Sequence, residues 1–155
     1  MTNKGRILII DDDKTIRQTL AIVLEEEGYI IDTAENGKEA VAKSVENFYN
    51  LAIVDWRLPD IEGTKLITQL KETTPKMVKI MLTGYPSMTN AIDAVNEHAD
   101  AFLLKPVDIE ELLNKIEELL KQQRENEVFS ENKIVSFIET RTKEITQAPN
   151  PKRPK

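Results

Sequence analysis

Several apolar runs in this sequence end on polar side chains that could do chemistry together. One run ends on Asp11 and Asp12, another on Asp55 and another on Lys105, while a fourth ends on the hydroxyl of Thr83. Parallel α/β sheets place their ligand sites at the carboxyl ends of the strands, so the repeated pattern predicts one shared site. Three carboxylates, a hydroxyl and an ammonium group are suited to binding a divalent cation together with a phosphoryl group.

The three carboxylates define the chemistry that such a site would perform. Each close pair of charges costs about 4 kcal/mol at a separation of ~4 Å and an effective dielectric constant near 20. Raised pKa values or a hard cation such as Mg²⁺ would relieve this repulsion. Asp55 could attack phosphorus in line while Lys105 and Thr83 stabilise charge on the transferred oxygens. The product would be an aspartyl phosphate.

The segments between the apolar runs have helical periodicity. A face with Leu20 and Leu24 predicts a helix that Asp13 caps and Gly28 ends. The other predicted elements are a strand at Tyr29–Ala34 and helices at Gly37–Phe48, Thr64–Thr73, Met88–Glu97 with His98 at its end, and Ile109–Leu120. Strand and helix alternate five times, which predicts an α/β fold with a doubly wound, five-stranded parallel sheet and helices on both faces.

Three regions follow from the same patterns. We expect a folded domain over residues 5–121, a helical extension over 122–147 and a disordered tail over 148–155, where prolines and basic residues cluster. Lys121–Glu127 is a polar interval that predicts a break, after which Ser130 would cap a second amphipathic helix through Ile145.

Composition excludes several classes of function. The chain has 155 residues, a formal net charge of −6 and no cysteine. Disulfide and thiol chemistry are therefore absent, and the scattered basic residues do not predict direct nucleic-acid binding. No stretch has the length and apolarity of a membrane span or signal peptide, so we expect no membrane insertion and a cytoplasmic location.

In order and spacing, these residues resemble the receiver domain of two-component response regulators. The resemblance runs over roughly Gly5 to Lys121. It rests on the acid pair Asp11 and Asp12, on Asp55, Thr83 and the Lys105-Pro106 pair, and on the loop Leu58-Pro59-Asp60-Ile61-Glu62-Gly63. It implies the CheY-like form of the flavodoxin fold, with a cis Lys105–Pro106 peptide bond.

The resemblance also implies roles for the residues. Asp55 would accept a phosphoryl group from a sensor histidine kinase or phosphotransfer protein of a phosphorelay. Mg²⁺ would be bound directly by Asp12, Asp55 and the backbone carbonyl of Arg57, and by Asp11 through water. Thr83 and Lys105 would contact the phosphoryl group, and Phe102 would turn inward as an aromatic switch when Thr83 moves.

By the same resemblance, activity is limited to self-catalysed phosphoryl acceptance and autodephosphorylation, so the chain is not expected to be a conventional enzyme. The readout surface would be the fourth helix, fifth strand and fifth helix, over Met88 to about Leu120. Contacts with a downstream protein target, or between the subunits of a dimer, would form there. A homodimer paired through the Ile134–Ile145 helix is left open.

Two alternatives remain at this point. Asp11 and Asp13 after an apolar strand also resemble the nucleophile motif of haloacid dehalogenase-like phosphatases, although Asp55 would then have no role. The chain could also be the truncated receiver of a larger transcriptional regulator. About 34 residues follow Lys121, too few for a DNA-binding domain, so a stand-alone receiver is preferred.

Overall fold

A parallel sheet of five strands forms the centre of the protein. The computed structural model describes residues 3–84 and 99–147, without the side chains of residues 142–147. The strands are β1 (Arg6–Ile10), β2 (Ile30–Ala34), β3 (Leu51–Asp55), β4 (Val78–Thr83) and β5 (Ala101–Leu104). They lie in the order β2-β1-β3-β4-β5, and every neighbouring pair is parallel. The predicted α/β fold class is confirmed.

The described helices are α1 (Lys14–Glu26), α2 (Gly37–Glu46), α3 (Gly63–Gln69) and α4 (Ile109–Gln147). The predicted helix Met88–Glu97, with His98 at its end, and the predicted tail 148–155 lie outside the described residues. None of the helices in the described ranges combines the length and the apolarity required to cross a bilayer.

Strand alternation divides the core into two clusters, one on each side of the sheet. Ile7 and Ile9 of β1 pack on one side with residues of α1 and of the first part of α4. Leu8 and Ile10 pack on the other side with residues of α2 and α3. Successive strand side chains point to opposite faces, so a near-continuous apolar strand is what a sheet covered on both sides requires.

The first helix begins and ends where the sequence predicts. The carboxylate of Asp13 accepts hydrogen bonds from the backbone N–H groups of Thr15 (2.8 Å) and Ile16 (3.2 Å), which satisfies two donors that the helix leaves free. Past the other end, Gly28 has a φ of +105°, a left-handed conformation that side chains other than glycine rarely adopt.

Helix α3 is shorter than predicted because its next residues form other contacts. The prediction extended the helix to Thr73, but it ends at Gln69 and Leu70 is extended. The backbone N–H of Lys71 donates instead to the hydroxyl of Ser44 in α2 (3.1 Å). A tertiary hydrogen bond has therefore replaced the next helical one.

The prediction of two separate C-terminal helices was wrong. Helix α4 runs for 39 residues without interruption, through the polar interval Lys121–Glu127 and through Ser130. Six residues of that interval are lysine, glutamine, arginine or glutamate, which are good helix formers; the seventh is Asn126, and there is neither glycine nor proline. By compactness the chain nevertheless divides into two units, Met1–Lys121 and Gln122–Lys155.

Candidate functional site

The strand ends hold the predicted site residues on hydrogen-bonded backbone. Asp55 is the last residue of β3. Asp11 follows β1, and its N–H donates to the carbonyl of Ala34 at 3.1 Å. The N–H of Lys105, just after β5, donates to the carbonyl of Thr83 at 2.7 Å. The sheet's hydrogen-bond ladder thus extends into the site, so these backbone positions are fixed by the same interactions that form the sheet.

Asp11, Asp12 and Asp55 converge as the sequence predicts. One carboxylate oxygen from each lies within 4.8 Å of the others. Asp11 and Asp55 are buried, at 1% and 7% exposure, whereas Asp12 is exposed. The second residue of the pair thus faces solvent while the first is covered. This cluster has two buried carboxylates and an open side.

The ammonium of Lys105 bridges the two buried carboxylates. Its Nζ lies 2.9 Å from Oδ1 of Asp55 and 3.3 Å from Oδ2 of Asp11. Burial disfavours the charged amine, but the hydrogen bond to Asp55 and the charge of Asp11 outweigh burial and raise the pKa of Lys105 above its usual value. Lys105 is therefore held as a cation in the site.

Burial and the two neighbouring charged groups together set the pKa of Asp55. Removal from water is the largest effect and raises its pKa, the hydrogen bond from Lys105 lowers it, and the charge of Asp11 raises it again. The net result is a pKa of about 6. One ammonium therefore does not fully compensate the buried carboxylates, and Asp55 is destabilised as an anion at neutral pH.

This raised pKa predicts a pH-dependent gain in stability for Asp55→Asn. At pH 7 without metal, the variant should raise the free energy of unfolding by about 1 kcal/mol, because it removes a repelled buried charge. Asp55 in the folded protein takes up its proton near pH 6, whereas the unfolded chain does so near 3.8. As the pH falls from about 6 toward 3.8, Asp55 of the folded wild type takes up a proton and loses its destabilising charge. The difference in the free energy of unfolding between the variant and wild type should therefore shrink.

Urea unfolding of both proteins in EDTA between pH 4 and pH 7 measures this difference. Glu62→Gln is the control, since Glu62 is exposed and carries the same charge in the neighbouring loop. A difference between wild type and Asp55→Asn that stays constant with pH would contradict the electrostatic account.

Thr83 and Phe102 lie on the same face of the sheet. Thr83 is fully buried and pairs with Leu104, while Phe102 pairs with Met81, one alternation back along the two strands. Phe102 is partly buried against the core cluster that contains Met81. A shared face is the arrangement that the predicted coupling between the two residues needs. The switch itself stays a prediction.

The loop after β3 turns back onto the site. The N–H of Arg57 points to Oδ1 of Asp55 at 3.4 Å, and Arg57 forms an isolated antiparallel bridge with Glu62. Between them, the N–H of Leu58 donates to the carbonyl of Ile61 at 3.3 Å. The backbone of Arg57, predicted as a carbonyl ligand, is therefore held next to Asp55 by a closed loop.

Two residues of this loop have roles that the sequence analysis did not identify. Both oxygens of Asp60 accept hydrogen bonds from the first turn of α2, from the N–H groups of Gly37 (2.8 Å) and Lys38 (3.0 Å). These bonds lower the pKa of the Asp60 carboxylate. Gly63 packs so closely that a Cβ on it would lie 2.4 Å from the Asp55 carbonyl oxygen. The signals available in the sequence were the resemblance of this loop to that of the family and the position of both residues shortly after a site aspartate.

Gly63→Ala should therefore displace the main chain of Asp55. We expect the free energy of unfolding to fall by about 2 kcal/mol or more, because the methyl group would overlap the main chain of Asp55. Gly84→Ala is the matched control, since a Cβ there meets no described atom within 4 Å, and it should change stability by less than about 1 kcal/mol. Equal losses in chemical denaturation of the two variants would show that packing at Gly63 is not tight.

The donor set fits a hard divalent cation. The converging ligand atoms in this cluster are carboxylate oxygens, one of them on an exposed side chain, and oxygen donors with an open side are what Mg²⁺ prefers. The carboxylate of Asp13 is not part of this donor set, because it caps α1, although the backbone N–H of Asp13 donates to Oδ1 of Asp11 at 2.9 Å.

The fold and the strand-end cluster define a flavodoxin-like α/β protein of the CheY type, and comparison with known proteins gives its family. The family model of the response regulator receiver domain matches residues 7–117 of this chain. The chain belongs to the family of receiver domains of two-component response regulators. Members of this family are in general not conventional enzymes. The Lys105–Pro106 peptide bond is cis, as the resemblance implied.

Solved structures and curated relatives agree with this assignment. A CheY-like receiver domain protein from Methanospirillum hungatei is 44% identical, with a TM-score of 0.72 over 78% of this chain and 97% of that one. TrrA from Thermotoga maritima, solved in complex with Mg²⁺-BeF, is 37% identical, with a TM-score of 0.66 over 74% and 97%. The transcriptional regulatory protein ResD of Bacillus subtilis is 34% identical over 84% of this chain. The chain spans about half the length of ResD (54%).

The family match removes one alternative. A haloacid dehalogenase-like phosphatase would use Asp11 and Asp13 as its acidic pair, but Asp13 is a helix cap and the matched receiver region includes Asp11 and Asp55. That alternative is not supported.

Proposed function

We propose that this receiver is switched by phosphorylation of Asp55. The observation that carries the proposal is the convergence of the Asp11, Asp12 and Asp55 carboxylates within 4.8 Å, with the ammonium of Lys105 at 2.9 Å from Asp55. The phosphodonor is a phosphohistidine of a sensor kinase or of a phosphotransfer protein. A carboxylate oxygen of Asp55 attacks phosphorus, an O–P bond forms, the N–P bond breaks, and the imidazole leaves.

Mg²⁺ is the proposed cofactor. Asp12, Asp55 and the Arg57 carbonyl are the proposed direct ligands, and Asp11 acts through water. When bound, the ion neutralises the carboxylates and the negative charge of the phosphoryl oxygens. Support comes from the oxygen donor set and from the Mg²⁺-BeF complex of TrrA.

Lys105 and Thr83 are the proposed contacts of the phosphoryl oxygens. Lys105 is already held beside Asp55 and needs only to exchange one carboxylate partner for the incoming oxygens. Such a preorganised cation stabilises developing charge without a costly rearrangement. Thr83 follows the residue that pairs with Asp55 on β4, so its hydroxyl is the nearest neutral donor along that strand.

Incubation with acetyl phosphate or phosphoramidate and Mg²⁺ tests the proposal directly. Intact mass should show a single phosphoryl adduct that EDTA prevents and Asp55→Asn abolishes, because Asp55 is the proposed acceptor and its Oδ1 lies nearest the Lys105 ammonium, at 2.9 Å against 3.3 Å for Asp11. Asp13→Asn is the matched control and should keep the adduct. An adduct that persists in Asp55→Asn would refute the assignment of the acceptor.

If the wild-type protein shows no adduct, either it does not react with small phosphodonors or it loses the phosphoryl group before the mass is measured. Binding of beryllofluoride with Mg²⁺, followed by the fluorescence of Trp56, separates these cases, since Trp56 is the only tryptophan and adjoins Asp55. Absence of both the adduct and beryllofluoride binding would refute phosphorylation as the switch.

Neighbouring aspartates provide a test of the metal ligands. Asp12→Asn should weaken Mg²⁺ binding by about tenfold or more, because it removes one of the converging oxygen donors. Asp13→Asn should change the affinity by less than about threefold, since asparagine also caps a helix and the lost charge lies outside the cluster. Trp56 fluorescence titrations at pH 7 measure both. Equal weakening in the two variants would mean a general effect of negative charge.

The proposed output is a change in protein contacts. Phosphorylation would shift a population between two arrangements around Thr83 and Phe102, and the readout face would include β5 and the first part of α4. Leu104 at the end of β5 is about half exposed, which suits a protein target. The target, like the cognate kinase, is part of the proposal.

Transcriptional regulation is a second candidate output, because a curated relative that is longer than this chain is a transcriptional regulatory protein. ResD is described as a transcriptional regulatory protein, and this chain spans about half of it, whereas it covers 97% of the M. hungatei receiver protein. The receiver could therefore act alone or as part of a larger transcriptional regulator. A longer open reading frame around this sequence would favour the regulator.

A cytoplasmic location is also proposed.

A further inference from the structure

The second unit of the chain carries a dense group of exposed apolar side chains on α4. Those on one half of the helix, each more than half exposed, are Val128, Ile134, Val135, Phe137 and Ile138. With 100° between successive residues, they fall within about 180° of the helix circumference. Phe129 is 66% exposed but falls on the other half, among polar residues. We name the five side chains the apolar face of α4.

The apolar face is large for a surface that stays in water. Its five side chains present on the order of 500 Å² of apolar area, near the upper range for the largest patch on a monomer. Two such faces placed together would bury about 1,000 Å², which is at the lower limit for specific association. The size therefore fits a reversible contact between two helices.

Charges on the same half of the helix as the apolar face favour one orientation. Glu127 and Glu131 precede Ile134 on the same half of the helix, and Arg141 follows Ile138. The guanidinium of Arg141 lies 6.0 Å from the ring centroid of Phe137, so its charge adjoins the apolar face. A parallel pair in register would put each charge beside a like charge. An antiparallel pair puts the acidic end of one helix beside Arg141 of the other, which is self-complementary.

We propose that two copies of this chain associate through the apolar face of α4, as an antiparallel helix pair whose two-fold axis crosses the apolar face at the height of Ser136, a residue of the polar half. Ser136 is midway between Ile134 and Ile138 and also midway between Glu131 and Arg141. The same short segment therefore supplies both halves of a symmetric contact. This association does not require phosphorylation of Asp55.

Sedimentation of the full chain tests the association. Between about 1 and 100 µM, the weight-average mass should rise from 17.7 kDa toward twice that value. Ile134→Glu/Ile138→Glu should raise the dissociation constant by about tenfold or more, because it places charges at the centre of the contact. Ser136→Glu/Thr140→Glu adds the same charges with the same spacing on the polar half and should stay within about threefold of wild type.

Circular dichroism of each variant establishes that α4 remains helical. A wild-type protein that stays monomeric throughout this range would overturn the proposal. So would equal weakening by the two double variants, or a partner found to occupy the apolar face while the chain remains monomeric.

Charge reversal tests the orientation. In an antiparallel pair, Arg141→Glu alone should weaken association by about tenfold, and adding Glu131→Arg should restore most of the loss, because the attraction is rebuilt with the signs exchanged. In a parallel pair, Arg141→Glu would merely replace one like-charge contact by another. No effect of Arg141→Glu would therefore overturn the antiparallel arrangement.

Discussion

Three carboxylates with oxygens within 4.8 Å of one another repel, and the domain holds them there. The free energy that offsets this repulsion comes from interactions elsewhere in the fold. Apolar strands buried on both faces fix the sheet, and the backbone hydrogen bonds of Asp11 and Lys105 continue its ladder into the site. Lys105 offsets only part of the repulsion, as the raised pKa of Asp55 indicates. The site is therefore a local instability supported by a stable sheet.

Incomplete compensation is what makes such a site responsive. If Asp55 were fully paired, a cation or a phosphoryl group would have little free energy to contribute on binding. Here Asp11 and Asp55 share one ammonium group. A ligand that neutralises the two carboxylates removes their repulsion, and the free energy released adds to its binding. The loop that follows links Asp55 to α2, because Gly63 packs against the backbone of Asp55 and Asp60 accepts hydrogen bonds from α2. A displacement of Asp55 would reach α2 through this loop.

Local patterns were sufficient to predict the elements that carry the site. Apolar runs ending on polar residues located β1, β3, β4 and β5, and the cap Asp13 and the glycine Gly28 located the ends of α1. The failures involved interactions between segments distant in sequence. The hydrogen bond from Lys71 to Ser44 shortened α3, and the contacts of Asp60 with α2 join residues more than twenty positions apart. No local signal encodes such contacts, since they arise only when the elements pack.

The error at α4 has a different cause, and it bears on what the second unit does. A run of polar residues was interpreted as a break, although polarity reports on solvent contact and helix propensity is a separate property. Lys121–Glu127 is polar and strongly helix-forming, so the helix continues through it. Most helices gain stability by packing an amphipathic face. The exposed valine, isoleucine and phenylalanine side chains after residue 127 are poorer helix formers than the polar interval before them. Their presence is therefore better explained by contact with another surface than by a need to maintain the helix.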